Sequence, residues 1–351
     1  MADAPLHADP AAASRDRGGP LQPLLIVRGL TKHFPIRSGL MGRRTGVVQA
    51  VDDLSFDVMK GEVLGVVGES GCGKSTMARL LMQILKADRH ELIFDGDPLG
   101  HTGITTAELR RQMQMVFQDS HASLNPRMTI ADCIGFARRM RGEPRNMVAA
   151  KVDDLLERVG LTPAQYRHRY PHELSGGQRQ RVNIARALAL EPRLLILDEA
   201  VSALDKSIEA QILNLLNSLK AELKLTYVFI SHDLNVVEYI SDRMMVMYLG
   251  RIVEIGPVDQ VYGDPKHPYT RALLASKPSH DPRKRTLVPP ITGDPPNPIN
   301  PPSGCRFRTR CEFAEGVCGQ MAPTLKPLDN GDHSVACLMQ QPGSGHSRAP
   351  I

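Results

Sequence analysis

The chain has 351 residues, 42% of them hydrophobic and 23% charged, with a formal net charge of +5. That composition suits a globular protein with a full core of its own and excludes a collagenous or fully disordered chain. No apolar run approaches the roughly eighteen residues of a membrane span, and so mild a charge carries no inference of nucleic-acid binding.

The first twenty residues are rich in Ala, Asp, Pro and Gly and lack an apolar stretch. They read as a disordered leader, over 1–22, and not as a signal peptide. Short β-like pieces follow at 24–27, 30–34, 47–51 and 54–58. A polar loop at 37–46, containing Arg43 and Arg44, reads as a solvated hairpin between them. Phe34 is one of only eight phenylalanines; its ring either stacks on an adenine or joins the core.

The next stretch organises the rest. Val63-Leu64-Gly65-Val66-Val67 predicts a buried strand, and Met77, Leu80, Leu81, Ile84 and Leu85 predict one apolar face of a helix. Between them lies Gly68-Glu69-Ser70-Gly71-Cys72-Gly73-Lys74-Ser75-Thr76, which fits the phosphate-loop pattern G-x-x-x-x-G-K-[ST] in its required strand–loop–helix context. Such a loop aims backbone N–H groups and a helix N-terminus at one anion. Lys74 is placed to reach the β- and γ-phosphates and Ser75 to bind Mg²⁺.

Further β-like pieces are expected at 91–94 and 116–118. Prolines then punctuate helical stretches to about residue 186, a pattern expected of a helical subdomain inserted between two strands of one sheet. Within it, Leu174-Ser175-Gly176-Gly177-Gln178 opens a basic amphipathic helix, again an anion site by geometry. Leu194-Leu195-Ile196-Leu197 is apolar on both faces, as a central parallel strand must be, and it ends in Asp198-Glu199. Acids at such a strand end can hold Mg²⁺ and act as a base toward water. Ser202-Ala203-Leu204-Asp205 leads into a helix, and a buried strand at 227–230 ends at Ser231-His232-Asp233. Segments 244–248 and 251–255 read as a hairpin closing the sheet. His267 begins a short helix, residues 278–303 carry nine prolines as an extended linker, and Cys305, Cys311, Cys318 and Cys337 follow. Four thiolates so spaced can hold Zn²⁺ or an iron–sulfur cluster, or stand uncoordinated.

The phosphate loop, Leu-Ser-Gly-Gly-Gln and the strand ending Asp-Glu, in that order, resemble the ATP-binding subunits of ABC transporters over about residues 24–257. The tail and the phrase Glu199-Ala200-Val201-Ser202-Ala203-Leu204-Asp205 are similar to the oligopeptide/dipeptide (and nickel) importer ATPases. The resemblance implies an α/β P-loop NTPase with a RecA-like core sheet, an antiparallel β-subdomain, an inserted helical subdomain (about 119–187) and a C-terminal cysteine-containing extension. The ATPase domain is expected at 23–258, a short helix and linker at 259–303 and the cysteine module at 304–340.

Residue by residue, Gly68 to Thr76 match the Walker A loop, and Phe34 falls at the adenine-stacking position. Gln118 matches the Q-loop glutamine, Ser175, Gly176, Gly177 and Gln178 the signature motif, and Asp198 the Walker B aspartate. Glu199 is similar to the catalytic glutamate, Asp205 to the D-loop aspartate and His232 to the switch histidine. Implied with them are ATP, Mg²⁺ on Ser75, Asp198 and Gln118, and a [4Fe-4S] cluster on the four tail cysteines. The implied partners are two transmembrane permeases, a second and related ATPase, and indirectly an extracytoplasmic solute-binding protein, with no nucleic acid. The implied setting is the cytoplasmic face of a bacterial inner membrane. The alternative is a soluble ABC ATPase acting on nucleic acid or ribosomes.

Overall fold

A computed structural model describes residues 19, 22–38, 43–100, 102–119, 122–276, 293–328 and 331–350. Most of the expected leader, the centre of the basic loop with the side chains of Arg43 and Arg44, and the first half of the proline linker lie outside the described residues. The strands in chain order are β1 (Pro23–Ser38), β2 (Arg43–Met59), β3 (Val63–Val67), β4 (Arg89–Phe94), β5 (Asp97–Pro98), β6 (Met113–Val116), β7 (Leu194–Asp198), β8 (Thr226–Ile230), β9 (Arg243–Tyr248), β10 (Arg251–Pro257), β11 (Lys326–Pro327) and β12 (Ser334–Val335).

They form two sheets. An antiparallel sheet has the order β2-β1-β4-β5, and an eight-stranded sheet runs β11-β12-β10-β9-β3-β8-β7-β6. In the larger sheet β9, β3, β8, β7 and β6 are parallel. Residues on β3, β7, β8 and β9 alternate between two apolar clusters. Val67, Leu197, Phe229 and Val246 enter one, while Val66, Ile196, Val228 and Met247 enter the other. Strands buried on both faces in this way need continuous apolar sequence, which explains their legibility.

The structure differs from the sequence reading in two places. The four short pieces at 24–58 are two long strands, because bulges and not breaks absorb the irregularities. Register shifts flank Leu30, and Gly29 and Asp53 beside them take φ of 60° and 62°. The β9–β10 hairpin, turning on Leu249 and Gly250 at positive φ, does not close the sheet. β12 pairs with β10, and β11 with β12, so the tail adds strands to the larger sheet.

Between β6 and β7 the chain is helical: Ile130–Met140, Arg145–Arg158, Pro163–Tyr166 and Gly176–Leu188. After β10 come helices Val258–Gly263 and Pro268–Ala275, the second N-capped by His267 Nδ1 accepting from the Tyr269 N–H at 3.0 Å. The tail has only a small apolar cluster of its own, Val335, Cys337 and Met339. It is held instead by Phe307, which packs against Tyr248 and Tyr269 at ring separations of 5.3 and 5.4 Å.

Candidate functional site

The phosphate loop leaves the central strand β3, between β8 and β9, and enters helix Lys74–Leu81. Two glycines are required by sterics. A Cβ on Gly68 would sit 2.2 Å from the Met247 carbonyl oxygen, and one on Gly73 2.2 Å from that of Ala50, with φ of 150° and 110°. Lys74 is buried, and its ammonium donates to the loop carbonyls of Gly68 (2.7 Å) and Glu69 (3.1 Å). Cys72 turns inward, burial pushes its thiol up, and its backbone N–H donates to Glu69 O at 3.2 Å within the loop.

Three strand ends converge beside the loop. The Ser75 hydroxyl donates to Asp198 Oδ1 at 3.0 Å, so the two proposed cation ligands already touch. Burial raises the Asp198 carboxyl above its usual range, the Ser75 bond opposes this, and the neighbouring Glu199 charge adds to it. A buried acid in that position is relieved by a cation, which is what a Mg²⁺ ligand requires.

One residue on, Glu199 takes a left-handed φ of 50°, a strained conformation for a side-chain-bearing residue, pinned by its N–H donating to Ile230 O at 3.0 Å. Its Oε2 accepts from Gln118 Nε2 at 2.9 Å and lies 3.4 Å from His232 Nδ1. Residues 118, 199 and 232 thus meet at one carboxylate oxygen, and among the described residues its Oε1 accepts no hydrogen bond. A carboxylate oriented on one side and open on the other is suited to align a water and take its proton.

The other expected residues lie apart from this centre. Ser175 caps helix Gly176–Leu188 in a capping box with Gln178, whose side-chain amide donates to the Tyr166 hydroxyl at 3.0 Å. Gly177 faces Ile208, which a Cβ would meet at 2.6 Å, and Asp205 caps the helix carrying Ile208, accepting from its N–H at 2.9 Å. The turn at 175–178 and Asp205 therefore meet through Gly177 and Ile208, each bonded locally, and among the described residues neither bonds to the chain's own phosphate loop. Phe34 belongs to neither large core cluster; it is half-buried on β1 with the Lys32 ammonium 5.5 Å from its ring centre.

The four tail cysteines line one small cavity of about 20 Å³ together with His267, Phe307 and Met339. Burial, and for each also the nearness of other thiols, raises Cys305 to about 11 and Cys337 to about 12, and pushes Cys311 up as well. None forms a disulfide. Among the described residues no three His, Cys, Asp or Glu side chains stand at the spacing of ligands around one metal ion.

One feature had gone unread in the sequence: the tail reaches the phosphate loop. Arg310 forms a bidentate pair with Glu69 at 2.8 and 3.0 Å, and the Glu69 N–H donates to the Tyr269 hydroxyl at 2.9 Å. Arg306 bonds to Leu249 O and Asp52 and, at 2.5 Å, to Gln49. The only signal for this was the run Arg306-Phe307-Arg308-Thr309-Arg310 between two cysteines.

The ABC transporter family matches residues 51–202, and the oligopeptide/dipeptide transporter C-terminal region matches 253–318. The probable peptide ABC transporter ATP-binding protein y4tS of Sinorhizobium fredii is 48% identical, covering 93% of each chain. The oligopeptide transport ATP-binding proteins AppF of Bacillus subtilis and OppF of Salmonella typhimurium are each 47% identical; the matches cover 90% and 91% of this chain and 96% and 97% of theirs. Among solved structures, cbiO1 of Clostridium perfringens, part of the ABC transporter complex cbiONQ, superposes with a TM-score of 0.59 at 28% identity, over 69% of this chain and 91% of that one. The ATP-binding cassette MJ0796, bound to ADP and Pi, gives 0.57 at 25%, over 67% and 98%. The chain belongs to the ATP-binding subunits of ABC transporters, in the oligopeptide/dipeptide branch that carries this C-terminal region.

Proposed function

We propose that this chain hydrolyses ATP to power import of peptides, or a related small solute, through a pair of membrane permeases. The observation that carries the reading is the meeting of Gln118, Glu199 and His232 beside the phosphate loop and the Ser75–Asp198 pair. ATP lies with its phosphates on residues 68–76 and its adenine against Phe34. Lys74 exchanges its loop carbonyls for phosphate oxygens. Ser75, Asp198 and Gln118 would hold Mg²⁺, which when bound screens the phosphate charge. Glu199, oriented by Gln118 and His232, aligns the attacking water and accepts its proton, while Lys74 and His232 stabilise charge on the phosphoryl group.

Ser175, Gly176, Gly177, Gln178 and Asp205 serve a second ATPase, a relative of this chain, by closing over the ATP bound there. Their hydrogen bonding away from the chain's own loop supports that role. The permeases dock beside Gln118 and residues 119–129 on the cytoplasmic face of a bacterial inner membrane, and a solute-binding protein acts through them. Phe117, Phe136, Met140 and Met147 are 36–72% exposed, apolar side chains that such a partner would cover. No helix among the described residues is long and apolar enough to cross a membrane. No specific observation favours the soluble alternative on nucleic acid or ribosomes.

In this reading Cys305, Cys311, Cys318 and Cys337 would hold a [4Fe-4S] cluster. What supports this is that all four thiols line one cavity, and cysteine thiolates are the usual ligands of such clusters. Such a group would staple a segment with little core of its own. Purification of the tagged chain from detergent-solubilised native membranes, with mass spectrometry and iron analysis, tests the proposal. Two multi-span permeases and a second ATPase are expected; ribosomal or DNA-repair proteins without a membrane partner would contradict it.

A further inference from the structure

A phosphate-binding loop that carries a carboxylate poses an electrostatic problem. ATP brings several negative charges to residues 68–76, and Glu69 adds another from within the loop itself. Burial chiefly raises the Cys72 thiol, and the Glu69 charge three residues away adds to that effect. The carboxylate is fully engaged by one partner, since both its oxygens accept from the Arg310 guanidinium, at 2.8 and 3.0 Å. Arg310 is nearly enclosed, with its side chain 6% exposed against 23% for Glu69, so solvent screens this pair weakly. Arg310 also immediately precedes Cys311, which lines the thiol cavity.

We propose that Arg310 is a positioning residue of the nucleotide site, and that its guanidinium neutralises Glu69 and holds that carboxylate away from the phosphates. The cysteine-bearing tail is thereby part of the ATP site and not an appendage to it. Two further contacts set the tail against the same region. The Tyr269 hydroxyl accepts from the Glu69 N–H, and the Gln49 N–H donates to Pro298 O at 3.1 Å. Residues 295–298 and 69–72 face each other across a cavity of about 420 Å³. The proposal rests on the reading of residues 68–76 as the nucleotide loop.

The test is a charge cycle on the full chain with its natural partners, read by equilibrium binding of ATP and by Tm. Arg310→Ala leaves Glu69 uncompensated and is expected to weaken ATP binding about tenfold, an effect that shrinks as ionic strength rises. Glu69→Gln removes the charge and is expected to bind ATP at least as tightly as the wild type. The double variant is expected to return to within about twofold of the wild type, whatever its Tm. A bracing role alone predicts the opposite, a double variant as weak as Arg310→Ala. That result, or an Arg310→Ala protein binding ATP normally, overturns the proposal. Should Arg310→Ala not fold, Arg310→Gln replaces it; independently, a tenfold loss in Glu69→Gln overturns the proposal. A wild type that binds no ATP would refute the nucleotide reading itself, a result distinct from all of these.

Discussion

The ATP site and the cysteine tail are built by different physics. The site stands on five parallel strands whose side chains are buried on both faces, and its reactive groups project from strand ends fixed by that core. Among the described residues the tail has one small cluster of three buried apolar side chains of its own and two strands of two residues each. It is held by aromatic packing of Phe307 and by the arginines at 306 and 310. Hydrophobic burial thus sets the catalytic geometry, while specific polar links attach a module too small to set its own.

The sharpest way to break this contrast is to change chemistry in the rigid half without touching its packing. Glu199→Gln keeps the Gln118 and His232 contacts but removes the proton acceptor. It is expected to lower kcat by about 10²–10⁴ while ATP still binds, measured by steady-state hydrolysis beside equilibrium binding. In the tail the expected effect is on stability. On the proposed cluster reading, replacing Cys311 and Cys318 by serine is expected to abolish bound iron and to lower Tm by several degrees, read by iron analysis and calorimetry.

The junction between the halves has a pH signature. His267 is wholly buried, and burial lowers it from 6.5 to about 4. The unfolded chain therefore takes up a proton below about 6.5 that the folded chain takes up only near 4. Stability is lost as pH falls through that window and is flat above it, by about 3 kcal/mol at 1.36 kcal/mol per unit. His267→Asn can keep the helix cap and is expected to remove that slope in denaturant titrations at pH 4.5 and 7. The smallest expected change is at the surface. Phe136→Asp with Met140→Asp is expected to leave Tm within a few degrees and to reduce recovery of permeases from membranes.

Legibility followed the same divide. The loop, Asp198-Glu199 and the apolar strand before them are local patterns whose chemistry is contained in a few consecutive residues. Gln118, Glu199 and His232 were each recognisable by resemblance, although only the fold brings them to one oxygen. The Arg310–Glu69 pair joins residues 241 apart and left no periodic trace. Nor could two-residue strands such as β12 announce themselves, because alternation needs several residues to show. The continuity of β1 and β2 was hidden for the converse reason: their residues around Gly29 and Asp53 resemble breaks where the chain has bulges.

The central claim is that hydrolysis at Glu199 drives solute across a membrane. Its most direct test is ATP-dependent uptake of a peptide mixture into vesicles holding the complete purified complex, with wild type and Glu199→Gln side by side. The account predicts accumulation with the wild type and none with the variant, although both bind ATP. Equal uptake by the two, or rapid hydrolysis by the wild type with no solute moved, would contradict it.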